Sequence, residues 1–331
     1  MSRHDPERNS QPDWVGAFPS LSYVVVGSCI MDFCVSVARL PERGETVLAH
    51  GLARSLGGKG ANQATALRRL GGDVALVTCL GNDDFGQAFL SFFEQEGIET
   101  GFVQGETSAP TGVAFPMILP GGANAIVVAP AASLRLSVAA VELAAPRIRA
   151  ATALLLQLEI PAATAAAAMS LAREAGVPVF LNPAPCVLEA RELARGAGVL
   201  IPNQLEAEAL MGTSIHTLED ALRAADRLRS LGPEVVIVTM GESGAALSAP
   251  GIQRLVPAYR VDAVDSTGAG DAFCAGLVDA HCRGASWPEA ADFACACGAL
   301  ACRGSGAIPW LPTRADVRTL TPPPVPGRER G

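Results

Sequence analysis

The chain has 331 residues, 49% of them apolar and only 5% aromatic, with 34 glycines and a formal net charge of −8. That length holds one large α/β domain or two ordinary ones and buries a core easily. The acidic balance argues against nucleic acid as the main partner, since phosphate backbones are held by clustered Lys and Arg. No apolar run is long and uninterrupted enough to cross a bilayer as a helix.

Residues 1–20 are polar and Pro-containing, with no apolar core, so they read as a disordered N-terminal extension and not as a signal peptide. The Pro-rich end, residues 321–331, reads as a disordered tail. Nine cysteines sit mostly in apolar runs without regular spacing, which fits reduced thiols in a cytoplasmic protein. Cys295, Cys297 and Cys302 have no fourth metal ligand nearby and read as small hydrophobes.

The β-branched run 23–26 followed by Gly27 reads as a central parallel strand, with Asp32 near its carboxyl end. Residues 35–56 alternate loosely and carry Pro41 and Gly44, more like edge strands in a small layer than core. Next comes Leu56-Gly57-Gly58-Lys59-Gly60-Ala61-Asn62-Gln63, opening a helical pattern through Gly72. The stretch is no Walker motif, because position 53 is Ala and position 60 is Gly. Gln63 also breaks a dinucleotide fingerprint. Backbone N–H groups, one ammonium and one amide suit a ligand with several hydroxyls; a tight strand-to-helix turn with an exposed Lys is the other reading.

Strand and helix then alternate. A strand over 74–80 leads to a helix over 84–97, whose Phe85, Phe89, Phe92 and Phe93 read as core packing. Residues 111–119 and 125–128, joined by Pro120-Gly121-Gly122, read as a hairpin that forms a small sheet with 35–56. The run 154–159 reads as a buried strand ending in the Glu159 carboxylate, followed by an Ala-rich helix over 162–175. Short strands over 177–181, 199–203 and 235–239 follow, with amphipathic helix 218–231 between the last two. The turn Met240-Gly241-Glu242-Ser243-Gly244 is a candidate nucleotide contact.

The stretch Asp265-Ser266-Thr267-Gly268-Ala269-Gly270-Asp271 follows a strand-like run over 259–264 and opens an apolar helix. A small-residue turn that opens a helix leaves amides pointing outward at the positive end of the helix dipole, which is an anion site. Asp271 is then either a helix cap or a carboxylate that takes a proton from an attacking hydroxyl aimed at a phosphate. A last apolar helix covers 288–302. This alternation predicts an α/β fold: a three-layer, doubly wound, mostly parallel sheet with a small β-sheet lid.

The 57–64 and 265–271 stretches resemble the two signature motifs of the ribokinase-like (PfkB) carbohydrate kinases. Gln157-Leu158-Glu159, Asn182-Pro183-Ala184-Pro185 and Pro202-Asn203-Gln204-Leu205-Glu206 stand in the family's order. The resemblance covers residues 22–320 and implies one kinase domain over 21–320, with lid segments near 35–56 and 111–128. The Gly-Gly-Lys-Gly-Ala-Asn form points within the family to ATP-dependent phosphorylation of D-ribose at its 5-hydroxyl, giving ribose 5-phosphate.

By that resemblance Asp32, Gly58, Lys59, Gly60, Ala61, Asn62 and Glu159 hold the sugar. Asp271 is the base, and the Gly268, Ala269 and Gly270 amides stabilise charge on the transferring phosphoryl group. Asn203, Thr239, Met240, Gly241, Glu242, Ser243, Gly244, Gly270 and Cys295 line the ATP site, and Glu206 orders Mg²⁺ through water. Asp265, Thr267, Ala301, Gly304, Gly306 and Trp310 match a K⁺ loop. The chain departs from the family at Ile30, where many members carry Asn, and at Trp310, where Ser is common. Cys295 and the run Ala129-Pro130-Ala131-Ala132 depart as well. The implied partners are ribose, ATP and a second copy through the lid. A kinase of another sugar or nucleoside, and a non-catalytic sugar- or nucleotide-binding protein, are the alternatives.

Overall fold

The protein is described by a computed structural model covering residues 21–120 and 124–320. The expected N-terminal extension, the C-terminal tail and Gly121-Gly122 of the expected hairpin turn lie outside the described residues. Its strands are β1 (Ser22–Val26), β2 (Ile30–Ser36), β3 (Gly51–Gly57), β4 (Asp73–Gly81), β5 (Val103–Glu106), β6 (Gly112–Ile118), β7 (Asn124–Ala129), β8 (Ala153–Leu156), β9 (Val179–Leu181), β10 (Val199–Leu200), β11 (Val235–Thr239), β12 (Ala245–Ala249) and β13 (Ile252–Val256). Helices α1 (Lys59–Arg69) and α2 (Asp84–Glu96) precede α3 (Val138–Leu143), α4 (Ala145–Arg149) and α5 (Ala162–Glu174). Then come α6 (Ala190–Ala194), α7 (Gln204–Met211), α8 (Leu218–Arg229), α9 (Ala269–Cys282), α10 (Trp287–Ala301) and α11 (Arg314–Val317).

Nine strands form one sheet in the order β13-β12-β11-β10-β9-β8-β1-β4-β5. All neighbours are parallel except the β11-β12-β13 meander at one edge. Strand β1 sits between β4 and β8, so the chain winds outward in opposite directions from it, and a crevice opens at the carboxyl ends of the strands there. Its side chains explain the unbroken apolar run: Tyr23 and Val25 enter the layer holding α1, α2, α9 and α10, while Val24 and Val26 enter the opposite layer. Burying each of these valines fully contributes about 1.5–3 kcal/mol relative to exposure.

A second sheet of four strands, in the order β3-β2-β6-β7, stands apart from the first. Strand β2 pairs antiparallel with β3 and parallel with β6, with Asp32 opposite Ser55 and Ala114. The hairpin expected around Pro120 is present as β6 and β7.

Several sequence expectations are corrected. Asp32 lies inside β2 of the small sheet, not at the end of the first core strand, because the chain leaves the core at Gly27 and enters the second sheet at Ile30. The small sheet therefore begins earlier than residue 35, and residues 37–50 form no strand. Residues 259–264 are not a strand; the segment crosses from β13 to α9, held by Tyr259 Oη donating to Asp292 Oδ2 at 2.8 Å. Strand β8 stops at Leu156, three residues before Glu159. The β12-β13 hairpin had no counterpart in the sequence reading. Phe89 and Phe93 are core, whereas Phe85 packs edge-on against Phe33 of the small sheet at 5.7 Å between ring centroids.

Candidate active site

The carboxyl ends of the central strands, the first turns of α1 and α9, and one face of the small sheet enclose a cavity of about 280 Å³. Asp32, Gly58, Lys59, Asn62, Glu159, Asn203, Glu206, Thr239, Thr267, Gly268, Gly270 and Asp271 all reach its wall. Gly60 and Ala61 are buried just behind it, and Ala269 is half-buried in the first turn of α9.

Asp271 is the third residue of α9, but it does not cap that helix. Its two carboxylate oxygens are taken up across the site: Asn62 Nδ2 donates to Oδ2 at 2.8 Å and Gln63 Nε2 to Oδ1 at 2.9 Å. The helix is entered through Gly268 at φ +81, a left-handed conformation that favours glycine. A Cβ there would stand 2.7 Å from the Ala307 side chain. At Gly270, by contrast, a Cβ would meet nothing within 4 Å, so the helix start faces open space. The Ala269 and Ala272 amides bond to Ser266 O and Gly268 O, while the Gly270 and Asp271 amides take no acceptor within the described residues. Bare amides at a helix start beside a fixed carboxylate can hold an anion and accept a proton at one place.

Glu159 accepts from Ser28 Oγ and, at 3.1 Å, from the Lys59 amide that begins α1. That carboxylate therefore also satisfies an orphan helix donor. Burial pulls the Lys59 pKa down, but the carboxylates of Asp271, Glu159 and Glu206 outweigh it and hold the ammonium above its usual value. Asp32 is pushed up to about 7, first by burial and then by Glu159, Asp271 and Asp265, with Lys59 opposing. Asn203 and Glu206 form a capping box at the start of α7, each backbone N–H donating to the other's side chain at 2.9 Å. Burial raises the Glu206 pKa against the Asn203 amide and Lys59, which favour the carboxylate.

The remaining predicted residues lie off the wall. Asp265 ties two loops together: Oδ1 accepts from Thr267 N at 2.9 Å and Oγ1 at 2.7 Å, and Oδ2 from Gly306 N at 2.9 Å. Ala301 ends α10 fully buried, and the Trp310 indole occupies the space a side chain at Gly304 would need. Met240 to Gly244 form a turn joining β11 to β12, with residues 241–243 exposed. Cys295 packs in the core of α10 instead of on the wall, where burial pushes its thiol up to about 12. Among the described residues no group of three or more His, Cys, Asp or Glu side chains is placed to hold a metal ion.

Reading the sequence assigned no role to Gln63, Asn182, Ser266 or Cys274, nor to the Ala114, Pro116, Ile126 and Val128 wall. Asn182 directly follows the end of β9, and a polar residue just past an apolar strand is the signal that could have found it. The pleat of β6 puts Ala114 and Pro116 on one face, but its residues are apolar on both faces, so the sequence does not say which face meets the cavity.

Residues 20–314 match the family model described as pfkB family carbohydrate kinase. A ribokinase of Haemophilus influenzae is 36% identical over 293 residues, 88% of this chain and 96% of that one. A deoxyribokinase of Salmonella typhi is 32% identical over 254 residues, 76% of this chain and 83% of that relative. Among solved structures, Arabidopsis thaliana ribokinase complexed with ribose and ATP is similar at a TM-score of 0.78 and 32% identity, covering 91% of this chain and 98% of that one.

Proposed function

The chain belongs to the pfkB family of carbohydrate kinases, and we propose that it transfers the γ-phosphoryl group of ATP to the 5-hydroxyl of D-ribose, giving ribose 5-phosphate. The observation that carries this reading is Asp271, fixed by two amides at the mouth of a helix whose Gly270 and Asp271 N–H groups have no acceptor among the described residues. Asp271 accepts the hydroxyl proton as the oxygen attacks phosphorus, and the amides stabilise the charge that spreads over the transferring group. Asp32, Lys59, Asn62 and Glu159 line the cavity and offer acceptors and donors to a polyol. Asn62 supports this directly, since its buried Oδ1 has no hydrogen-bond partner among the described residues, and a sugar hydroxyl would supply one.

Asn203 and Thr239 line the cavity, and the nucleotide would extend from them toward the turn 240–244, which follows Thr239 directly in the chain. The Glu206 carboxylate faces the cavity with spare lone pairs, which fits water-mediated binding of Mg²⁺, a hard cation that keeps its waters. Such an ion supplies charge neutralisation on the phosphates. Asp265 joins the 267 and 306 loops, and a K⁺ ion held mainly by the carbonyls of Asp265, Thr267, Ala301, Gly304, Gly306 and Trp310 would fix those loops beside the amides. The small sheet would act as a lid that excludes water, and its exposed Leu52, Phe115 and Val127 suit a second copy.

One observation favours a second sugar. Ile30 is buried on the cavity wall, and an apolar side chain there suits a carbon without a hydroxyl, such as that of 2-deoxyribose. An ATP-coupled assay of ribose and 2-deoxyribose, with and without K⁺, separates the two by kcat/KM. The same assay on Asp271→Ala should lose about 10²–10⁴-fold in kcat while calorimetry still registers sugar binding. Near-normal turnover by that variant would overturn the proposal.

A further inference from the structure

Behind the base lies a chain of buried amides. Gln63 is fully buried in the second turn of α1 and uses its whole amide. Nε2 donates to Asp271 Oδ1 at 2.9 Å and reaches Asn182 Oδ1 at 3.5 Å, while Oε1 accepts from Gln157 Nε2. Gln157 is equally buried, one residue past the end of β8. Asn182, past the end of β9, is anchored in turn by donating to Ile201 O at 2.9 Å. An ionised carboxylate only accepts, so Gln63 must turn its NH₂ toward Asp271. Its oxygen then faces Gln157, which must present its own NH₂. The far end of the chain bears the consequence: Gln157 Oε1 is left without a hydrogen-bond partner among the described residues, pressed against Gly27, where a Cβ would come within 1.9 Å of it.

A pair that only filled space would be better served by apolar side chains of the same size, which strand no carbonyl. The orientation of both amides is instead set by the charge on Asp271.

We infer that Gln63, oriented by Gln157, is a positioning residue that pins Asp271 Oδ1 and leaves the cavity side of Asp271 to take the hydroxyl proton. This deepens the reading of Asp271 as the base and rests on it. The other ionisable groups around Asp271 are Lys59 on α1, Asp32 on β2, Glu206 on α7 and the Cys274 thiol one turn along α9. None of them makes this bond to Oδ1.

The test is steady-state kinetics with ATP and sugar on Gln63→Leu, Gln157→Leu, Gln63→Glu and Asp271→Asn, with thermal melts alongside. Gln63→Leu should lower kcat roughly ten- to hundredfold with both KM values within about twofold, because a misplaced reactive group costs rate more than binding. Gln157→Leu should do the same to a smaller extent. Gln63→Glu keeps the volume but sets a second carboxyl against the base, so the acid limb of its pH–rate profile should move up by about one pH unit. This isosteric variant carries the test if a leucine variant fails to fold. A folded Gln63→Leu with unchanged kcat, a loss confined to KM, or an unmoved acid limb in Gln63→Glu overturns the inference. If Asp271→Asn is inactive while the glutamine variants behave as wild type, the inference alone fails. If Asp271→Asn retains turnover, the reading beneath it fails as well.

Discussion

Asn62 and Asp271 stand 209 positions apart in sequence, yet Asn62 Nδ2 lies 2.8 Å from Asp271 Oδ2. Helices α1 and α9 pack along each other with both N-termini directed at one corner of the cavity, so the two Gly-rich openings act as one site. The Asn62 amide restrains the Asp271 carboxylate, and its other end, Oδ1, has no partner among the described residues.

Asn62→Asp would set two carboxylates against each other at hydrogen-bond distance. Like charges that close cannot both ionise, so they share a proton and the base is silenced near neutrality. We expect kcat/KM at pH 7 to fall about a hundredfold, with partial recovery at higher pH. A pH–rate profile checks this; an unshifted profile contradicts it.

Asp32 predicts opposite pH trends for binding and stability. Its folded pKa is raised from 3.8 to about 7 by burial and by Glu159, Asp271 and Asp265. The folded state therefore holds an extra proton between those values. This group's favourable contribution is full below about 3.8 and is lost as pH rises through about 7. Sugar binding runs the other way, because the ionised carboxylate accepts more hydroxyl bonds, so the sugar KM should rise as pH falls from 8 to 6. Asp32→Asn should flatten that trend and raise the melting temperature at pH 8, with the gain shrinking toward pH 5. Melts and KM values at three pH values test both signs.

Gly268→Ala forces a side chain into left-handed backbone and against Ala307, which stands 2.7 Å away. The strain is on the order of 1–3 kcal/mol. Relief by moving the 266–270 turn would misaim the Gly270 and Asp271 amides. Expected is a drop in kcat of roughly 10²-fold with sugar affinity, by calorimetry, nearly unchanged; a wild-type kcat would show that the turn does not position those amides.

Asp279, fully buried on α9, gathers Tyr23 Oη at 3.0 Å, Arg283 Nε at 3.0 Å and the Arg314 guanidinium. It thereby joins β1, α9 and α11. Removing its carboxylate by Asp279→Ala leaves buried cationic groups without their shared counter-charge, at a cost of about 3–5 kcal/mol. Urea unfolding should give a lower midpoint, and an unchanged midpoint would show that solvent takes over the carboxylate's role.

The sequence alone determined the alternation of apolar runs and helical periods, and with it the parallel core. It also marked both Gly-rich helix openings and the carboxylate at 271, because periodicity and small-residue turns are local properties of the chain. It left open whether Asp271 caps its helix, and tertiary structure removed that reading: the partners that claim its oxygens, Asn62 and Gln63, come from another helix. Asp32 was legible as a site residue but not as part of the small sheet, since a strand's pairing is not written in its own residues. The run 259–264 looked like a strand from its composition; a strand needs a ladder partner, and this segment instead crosses to α9 beyond the sheet edge. Residues such as Gln63 and Gln157 were hidden for the same reason, because what a buried amide does depends on what the fold brings to it.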